Sequence, residues 1–346
     1  MAVLINKKPC LIIDRTLTEL SKIKKQFTEE EVLIFCRLLK KIGVDLIEIN
    51  GKIMKKIAVL APDIEFIMQL ESEDDLELYS LQESVKFCVL TVGENLLKEF
   101  KQKKNKFKDC KIILECKGNT IDQFEELIED KYFKFNNINY LRIQGLSRYM
   151  AAHWQTLIQK ITKKLDIGID ICPENEYCLA TSIALDLPGT ITGISFISAS
   201  FNGIGGYAPL EELLMAAKVI KGYEISADFS LLQSLKRKFE DLVGETIAND
   251  KPVIGKNIFK YESGIHADGI EKNSMTYEPY QPEMVGLERK LVIGKHSGKK
   301  AVICKLKELK ITYDEKDIPE ILNKIKKMSI ILKREISDHE LANLCH

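Results

Sequence analysis

The segment 262–270 (ESGIHADGI) places residue types that can transfer protons close together, with His266 near its centre. A second histidine, His296, lies in the segment 294–298 (GKHSG), and Tyr277 lies between them in the segment 275–279 (MTYEP). Imidazole is the side chain whose unperturbed pKa lies nearest neutral pH. A histidine framed by glycines beside Ser, Asp and Tyr is therefore a candidate general acid or base.

The same segments also fit a purely structural interpretation. Glycine is favoured in turns because it adopts positive φ, and histidine side chains can cap backbone groups in such turns. Residue types alone favour this structural interpretation. The choice between the two depends on which elements would position His266 and His296.

The composition is that of an ordinary globular protein. The 346 residues are 45% hydrophobic, which is enough for one large domain and a smaller one. Lys+Arg and Asp+Glu both number 51, so bulk charge predicts neither a nucleic-acid nor a membrane partner. The sequence lacks an apolar run of membrane-spanning length. The nine cysteines are scattered without zinc-site spacing, which indicates reduced thiols in a cytoplasmic protein.

Short apolar runs alternate with amphipathic helical patterns over the first two thirds of the chain. The predicted strands are residues 11–14, 46–49, 65–69, 87–90, 112–115, 140–143, 168–171 and 194–198. The predicted helices between them are residues 28–42, 94–104, 121–131, 148–164, 175–187 and 210–221. Thr28 opens the first of these with a capping box, and Gly43 ends it. Eight strand–helix repeats predict a (β/α)8 TIM barrel, with an open doubly wound sheet as the second choice.

The alternation stops beyond residue 223. Helices are predicted at residues 229–243, 299–309, 318–327 and 338–344, and the histidine-bearing segments precede the second of them. The sequence therefore predicts two domains. Residues 1–245 form the barrel, and residues 246–346 form a mostly helical linker or lid region that carries His266, Tyr277 and His296.

A barrel of this kind places its chemistry at the carboxyl ends of its strands. Acidic side chains lie near the carboxyl ends of three predicted strands or just beyond them, namely Glu19, Glu48 and Glu174. The last predicted strand is followed by the glycine-rich turn 202–206. Such a turn can cradle a phosphate, but a lone glycine-rich turn is weak evidence for one.

Three motifs in order, 259–270 (FKYESGIHADGI), 276–279 (TYEP) and 294–298 (GKHSG), resemble the homocitrate synthase and 2-isopropylmalate synthase family. The last resembles in particular the homocitrate synthases of nitrogen-fixing bacteria, and the barrel resembles the family loosely along its whole length. The resemblance implies a divalent metal that polarises the carbonyl of a 2-oxo acid. The methyl group of acetyl-CoA then attacks this carbonyl, and the thioester is hydrolysed.

The barrel departs from the family pattern at the metal ligands. The family has an Arg-Asp pair after the first strand, where this chain has Thr18 and Glu19. The His-x-His after the seventh strand is replaced by Cys172 and Glu174, and the turn that carries a further asparagine ligand is shortened. These changes predict that no metal binds to this chain, since borderline imidazole ligands and the arginine charge are lost. The alternative is a magnesium site formed by carboxylates. Its candidates are Glu19, Glu48, Glu174 and Glu176.

The linker motifs are intact. In the family, the histidine and tyrosine of this region reach the active site of the other subunit, and His266 and Tyr277 fall at their positions. The resemblance implies that His266 polarises or relays protons at the thioester and that Tyr277 orients it. Glu262 and Ser263 are expected to fix the His266 tautomer. His296 and Ser297 are expected to bind substrate.

A degenerate barrel with an intact linker predicts one subunit of a two-subunit homocitrate synthase. Such an acyltransferase condenses acetyl-CoA with 2-oxoglutarate to give homocitrate and CoA, for biosynthesis of the nitrogenase iron-molybdenum cofactor. The divalent metal is expected in a catalytic alpha-type partner subunit. Two alternatives remain: a non-catalytic regulatory or scaffold paralogue, and a citramalate or 2-isopropylmalate synthase. About fifty residues follow His296, too few for a separate allosteric domain, which disfavours an amino-acid-regulated 2-isopropylmalate synthase.

Overall fold

The computed structural model describes residues 3–5, 8–23, 26–57, 63–80, 85–91, 110–117, 138–146 and 151–345. The chain divides into two compact units, Met1–Ile247 and Ala248–His346. Each unit has its own set of helices and strands.

The first unit contains a closed barrel of eight parallel strands. They are β2 (Lys8–Asp14), β3 (Leu46–Asn50), β4 (Phe66–Leu70), β5 (Phe87–Thr91), β6 (Lys111–Lys117), β7 (Ile138–Gln144), β8 (Gly168–Cys172) and β9 (Ile194–Ala199). Each pairs with the next along the chain, and β9 pairs with β2 to close the ring. All eight predicted strands and the predicted (β/α)8 barrel are confirmed, and the open sheet is wrong. A short strand before them, β1 (Val3–Ile5), pairs antiparallel with β2 and was not predicted.

Helices follow the strands of the barrel. They are α1 (Thr16–Lys22), α2 (Glu29–Lys41), α3 (Gly51–Met54), α4 (Glu73–Ser80), α5 (Ala151–Leu165), α6 (Ala180–Thr190), α7 (Leu210–Val219) and α8 (Leu232–Val243). The predicted helices 28–42, 148–164, 175–187, 210–221 and 229–243 are confirmed, with shifts at their ends. The predicted helices 94–104 and 121–131 lie outside the described residues. The short helices α1, α3 and α4 were not predicted.

The ends of α2 follow from local chemistry. The Thr28 hydroxyl accepts a hydrogen bond from the Glu31 amide (3.2 Å), and the Glu31 carboxylate accepts one from the Thr28 amide (2.9 Å). This reciprocal pair satisfies two donors that the first helical turn leaves free. Gly43 follows the helix with a φ of +104°, a conformation that L side chains rarely adopt. The predicted capping box and stop of α2 are confirmed.

The lower part of the barrel interior is apolar. One cluster of buried side chains comes from six of the eight strands: Ile13, Leu46, Ile67, Phe87, Val89, Ile113 and Phe196. The rings of Phe87 and Phe196 meet edge to face at 5.7 Å, and Tyr140 packs against the same cluster. This layer fills the barrel from strand to strand, so the interior is a packed core.

The second unit is mostly helical. Its helices are α9 (Gly264–Asn273), α10 (Lys299–Glu308), α11 (Ile318–Leu332) and α12 (Asp338–Leu344), and the two-residue strands β10 (Lys260–Tyr261) and β11 (Lys290–Leu291) pair in parallel. Helices α10 to α12 enclose a core that includes Val302, Leu306, Ile325 and Leu341. Their prediction is confirmed, with α11 longer than expected. In neither unit do the described residues form a helix long and apolar enough to cross a membrane.

Candidate functional sites

A polar layer lies directly above the apolar layer of the barrel. Side chains on a strand alternate between its two faces, so the residues two positions beyond the apolar layer also face the barrel interior. At this position every strand has a polar residue, which for β2 lies one residue beyond the strand: Arg15, Glu48, Gln69, Thr91, Glu115, Arg142, Asp170 and Ser198. We refer to these eight residues as the polar layer. It lies at the carboxyl ends of the strands, where such barrels carry their active sites.

Two arginines join the carboxylates of the polar layer. Arg142 is fully buried, and its Nη1 donates to Glu48 (2.6 Å) and Glu115 (3.1 Å), while its Nε donates to Asp170 (2.5 Å). Arg15 is equally buried, with its Nε 3.0 Å from Glu48 and its Nη2 3.1 Å from Glu115. Each guanidinium therefore bridges two or more strands. Since arginine stays protonated in proteins, both carry a permanent positive charge.

The pKa values of the acidic groups reflect this arrangement. Burial opposes ionisation of Glu115, but Arg15 and Arg142 outweigh it and lower its pKa to about 2. Burial raises the pKa of Asp170, even though Arg142 and Ser198 favour its charged form. Burial also raises the pKa of Asp14, at the end of β2, to about 7 despite two hydrogen bonds from Thr16. Two guanidiniums thus outweigh burial at Glu115, whereas one guanidinium and one hydroxyl do not outweigh it at Asp170.

Further side chains close the layer from above. The ring of Tyr207 lies over the Arg15 guanidinium, with 4.6 Å from its Cζ to the ring centroid. Gln144 Nε2 donates to the Tyr207 hydroxyl (2.9 Å) and to Glu174 (3.2 Å), and Lys117 pairs with Glu174 at 3.0 Å. The Cys172 sulfur accepts from Arg15 Nη1 at 3.1 Å. Burial raises the pKa of the Cys172 thiol to about 12, although Arg15 and Arg142 favour the thiolate.

The family's metal positions do not form a metal site here. Glu19 pairs with Lys22 (2.7 Å), Cys172 is bound by Arg15, and Glu174 is bound by Gln144 and Lys117. Among the residues that the structure describes, no group of three or more His, Cys, Asp or Glu side chains could hold a metal. A divalent cation does not fit this barrel, because two guanidiniums already lie between the carboxylates and would repel it.

Two expectations about the barrel need correction. The structure does not support the alternative magnesium site, since Glu48 pairs with both guanidiniums while Glu19 and Glu174 pair with separate lysines. Among the described residues, none of its candidates, including Glu176, belongs to a group of three ligand side chains that could hold a metal. Thr18 does leave the family's arginine position without charge. A positive charge nevertheless reaches the barrel interior, carried by Arg15 from three residues earlier.

The glycine-rich turn after β9 forms the 3-10 segment Phe201–Gly206. Its Phe201 amide donates to the Thr16 hydroxyl (2.7 Å), and its Asn202 amide donates to the Glu211 carboxylate (2.9 Å). A Cβ on Gly205 would lie 2.7 Å from Glu19 Cγ. The turn therefore packs on α1 and α7, and the phosphate-cradle interpretation is not supported.

In the second unit, His266 and Tyr277 form an exposed aromatic pair. His266 lies on α9 and is exposed, and its ring centroid is 4.7 Å from that of Tyr277, which is 45% exposed. Ser263 caps the helix by accepting a hydrogen bond from the Ile265 amide (3.2 Å). The two residues expected to act together are thus brought together, on a surface that a substrate or partner can reach.

The glycines around this pair act through their small size. Gly264, Gly269 and Gly294 have ordinary φ values, so the interpretation of these segments as positive-φ turns is wrong, and the first two lie in α9. A Cβ on Gly264 would lie 3.1 Å from the Ala301 amide nitrogen at the start of α10. A Cβ on Gly294 would lie 2.7 Å from a carboxylate oxygen of Glu262. Each glycine permits a close approach that a side chain would prevent.

Glu262 and Ser297 hold the turn 294–297. The Glu262 carboxylate accepts a hydrogen bond from the His296 amide (2.6 Å). The buried Ser297 hydroxyl accepts from the Gly294 amide (2.9 Å) and donates to the Glu262 carbonyl (3.3 Å). These contacts do not support a substrate-binding role for Ser297, nor orientation of the His266 ring by Glu262 or by Ser263. The His296 side chain is exposed, so substrate binding by His296 stays a prediction.

The residues of the barrel site were only partly identified from the sequence. Three of them, Glu115, Arg142 and Tyr207, were not proposed as site residues, whereas Arg15 and Asp170 lie in segments expected at the carboxyl ends of the strands. The available signal was a charged residue inside an otherwise apolar strand, as in 140–143 (YLRI) and 168–171 (GIDI). A charge at such a position must face either a partner or a functional site.

Comparison with known proteins places the chain in a family. It is 36% identical over 347 aligned positions to "Homocitrate synthase, omega subunit" of Clostridium pasteurianum, covering 99% of this chain and 97% of that protein. The chain belongs to the homocitrate synthase and 2-isopropylmalate synthase family. The family model "Homocitrate synthase post-HMGL domain-like" matches residues 253–332, which include His266, Tyr277 and His296. The resemblance seen in the motifs is confirmed.

Other members of the family match about half of the chain. "2-isopropylmalate synthase 2" of Caldanaerobacter subterraneus is 38% identical over 54% of this chain and 49% of its own length. "Homocitrate synthase AksA" of Methanopyrus kandleri is 36% identical over 51% of this chain and 45% of its own length. Among solved structures, the Bacillus subtilis HMG-CoA lyase superposes with a TM-score of 0.56 at 14% identity, covering 69% of this chain and 95% of the lyase. That likeness shows the barrel fold alone.

Proposed function

We propose that this homocitrate synthase family chain is the subunit of a two-subunit enzyme that supplies His266 and Tyr277 to the active site of an alpha-type partner. One observation carries the proposal. The chain presents an exposed His266–Tyr277 pair, while the interior of its own barrel is filled by ion pairs that do not fit a divalent metal. Its likeness along nearly the whole length to a protein described as an omega subunit supports the need for a partner.

The proposed reaction condenses acetyl-CoA with 2-oxoglutarate to give homocitrate and CoA. A divalent metal in the partner would supply Lewis-acid polarisation of the 2-oxo carbonyl. In this chain the His266 imidazole donates or accepts a proton at the thioester, as a general acid or base. The Tyr277 ring lies against His266 and orients the thioester or the attacking water. We place the reaction in nitrogenase iron-molybdenum cofactor biosynthesis and in the cytoplasm.

Reconstitution tests the proposal. The full chain is co-expressed with a metal-binding homocitrate synthase chain, the complex is purified, and CoA release is measured with acetyl-CoA and 2-oxoglutarate. We expect activity only from the complex, and we expect His266→Ala to lower kcat by about 10²-fold or more, as for loss of a general acid or base. His339→Ala, which removes an exposed histidine on α12, is the matched control and should leave kcat unchanged. Full activity and stoichiometric metal binding by this chain alone would refute the proposal.

Two other functions have different outcomes in the same experiment. If His266→Ala and Tyr277→Ala leave kcat unchanged in an intact complex, the chain is a scaffold or regulatory subunit. Matches to "2-isopropylmalate synthase 2" and to "(R)-citramalate synthase CimA" favour testing other 2-oxo acids. Faster CoA release with 2-oxoisovalerate or pyruvate than with 2-oxoglutarate would assign the chain to one of those reactions.

A further inference from the structure

We propose that Gly269 is a positioning residue that holds the Tyr277 ring against His266. The inference rests on the proposed function, because it concerns how the His266–Tyr277 pair is kept ready for a partner's active site. It explains why a glycine occupies a helical position whose backbone conformation does not require one.

Gly269 lies on α9 three residues after His266, so the two residues share one face of the helix. A Cβ at position 269 would lie 2.3 Å from Tyr277 Cε2 and 3.2 Å from both Cδ2 and Cζ. The edge of the tyrosine ring therefore occupies the space that any side chain at position 269 would need. The same ring lies 4.7 Å from the His266 ring, at an interplanar angle of 49°.

A glycine at this position is not explained by the backbone. Position 269 does not have a positive φ, and glycine inside a helix is less favourable than alanine. Close approach of the Tyr277 ring does explain it. An exposed tyrosine ordinarily samples several rotamers, and a ring that rests on bare helix backbone beside His266 loses that freedom before substrate arrives. The His266 and Tyr277 rings are thereby pre-organised. This matters because a small displacement of catalytic groups can lower the reaction rate strongly.

Gly269→Ala separates positioning from folding. Alanine favours the helix, and the clashing atoms belong to an exposed side chain that can rotate away, so the thermal unfolding midpoint should stay the same or rise. The Tyr277 ring should leave His266. In the full chain carrying selectively labelled histidine and tyrosine, we expect the nuclear Overhauser effect between the two rings to disappear. In the reconstituted complex, we expect kcat to fall about tenfold or more.

Two controls make the test specific. Gly298→Ala introduces a Cβ that meets no heavy atom within 4 Å, and it should preserve the contact between the two rings. In a Tyr277→Ala background, Gly269→Ala should cause no further loss of kcat, because the displaced ring is already absent. Additive losses would instead indicate a general structural effect of the alanine.

The outcomes distinguish this inference from the proposed function. If the ring contact survives Gly269→Ala, the positioning role is wrong, whatever the activity. If the contact is lost and kcat is unchanged although Tyr277→Ala lowers it, the positioning role is also wrong. If neither Tyr277→Ala nor His266→Ala lowers kcat in an intact complex, the proposed function fails, and with it the catalytic purpose of the contact.

Discussion

Replacement of Arg142 by methionine tests the polar layer most directly. Arg142 donates to three carboxylates, of which Glu48 and Glu115 keep Arg15 as a second partner. Among the described side chains, Asp170 then keeps the Ser198 hydroxyl as its hydrogen-bond donor. The substitution thus leaves a buried carboxylate without its guanidinium. Removing one partner of a buried ion pair costs about 3–5 kcal/mol, and we expect a loss of unfolding free energy in this range at pH 8.

The loss of unfolding free energy caused by Arg142→Met should become smaller as the pH falls. Burial already raises the folded-state pKa of Asp170, and without Arg142 it should rise further above the unfolded value. A carboxyl whose folded pKa is raised takes up a proton on folding. The variant should therefore regain stability as pH falls from 8 to 6, by up to about 1.4 kcal/mol per pH unit while the proton is taken up. Urea unfolding of the full chain, followed by far-ultraviolet circular dichroism at both pH values, measures this.

The matched control is Arg237→Met. Arg237 is an exposed arginine in the same unit, on α8, and its Nη2 donates to the Ser234 hydroxyl. Surface contacts of this kind contribute about 0–1 kcal/mol, so little change is expected at either pH. Two results would contradict a stabilising role for the ion pairs of the polar layer. Arg142→Met could lower the unfolding free energy no more than Arg237→Met, or its effect could fail to become smaller at lower pH.

Two further predictions concern the barrel unit. The first is that the full chain alone does not bind Mn²⁺ stoichiometrically, because the guanidiniums compensate the charge of the barrel carboxylates. A Mn²⁺ titration followed by electron paramagnetic resonance measures this. One bound ion per chain that is lost in Glu48→Gln would contradict the prediction. Gly43→Ala should cost about 1–3 kcal/mol of unfolding free energy, since position 43 has a φ of +104° and the new Cβ would lie 3.1 Å from the Ala227 Cβ. Gly222→Ala, with a φ of +66° and open space around its Cβ, controls for backbone strain alone, and an equal or larger loss there would refute the role of the close contact.

The barrel could be predicted from the sequence because its signals are local. Each strand is a short apolar run and most helices have an amphipathic period, so the eight repeats were visible without long-range information. The capping box at Thr28 and the glycine after α2 gave one helix both of its ends. The short helices α1 and α3 were missed because four to seven residues give too little periodicity to recognise.

The polar layer could not be predicted in the same way. Its ion pairs join residues far apart in the chain, such as Arg15 with Glu115 and Arg142 with Glu48, and only strand register brings them together. Once the strands are assigned, the alternation of side chains nevertheless identifies which charged residues face the barrel interior. Helix α9 was missed for the opposite reason, since the glycines within 262–270 favour turns locally while close packing in fact requires them.

The polar layer has an evolutionary consequence. A metal site could not be restored in this barrel by one substitution, because each charge of the layer compensates another. Returning arginine to position 18 would add a third cation near Arg15 and Arg142, and removing Arg142 alone would leave the buried Asp170 carboxylate without its guanidinium. Substitution of Arg142 is therefore expected to lower stability. The charge balance of the polar layer therefore constrains substitutions inside the barrel, whereas the exposed His266 lies outside it.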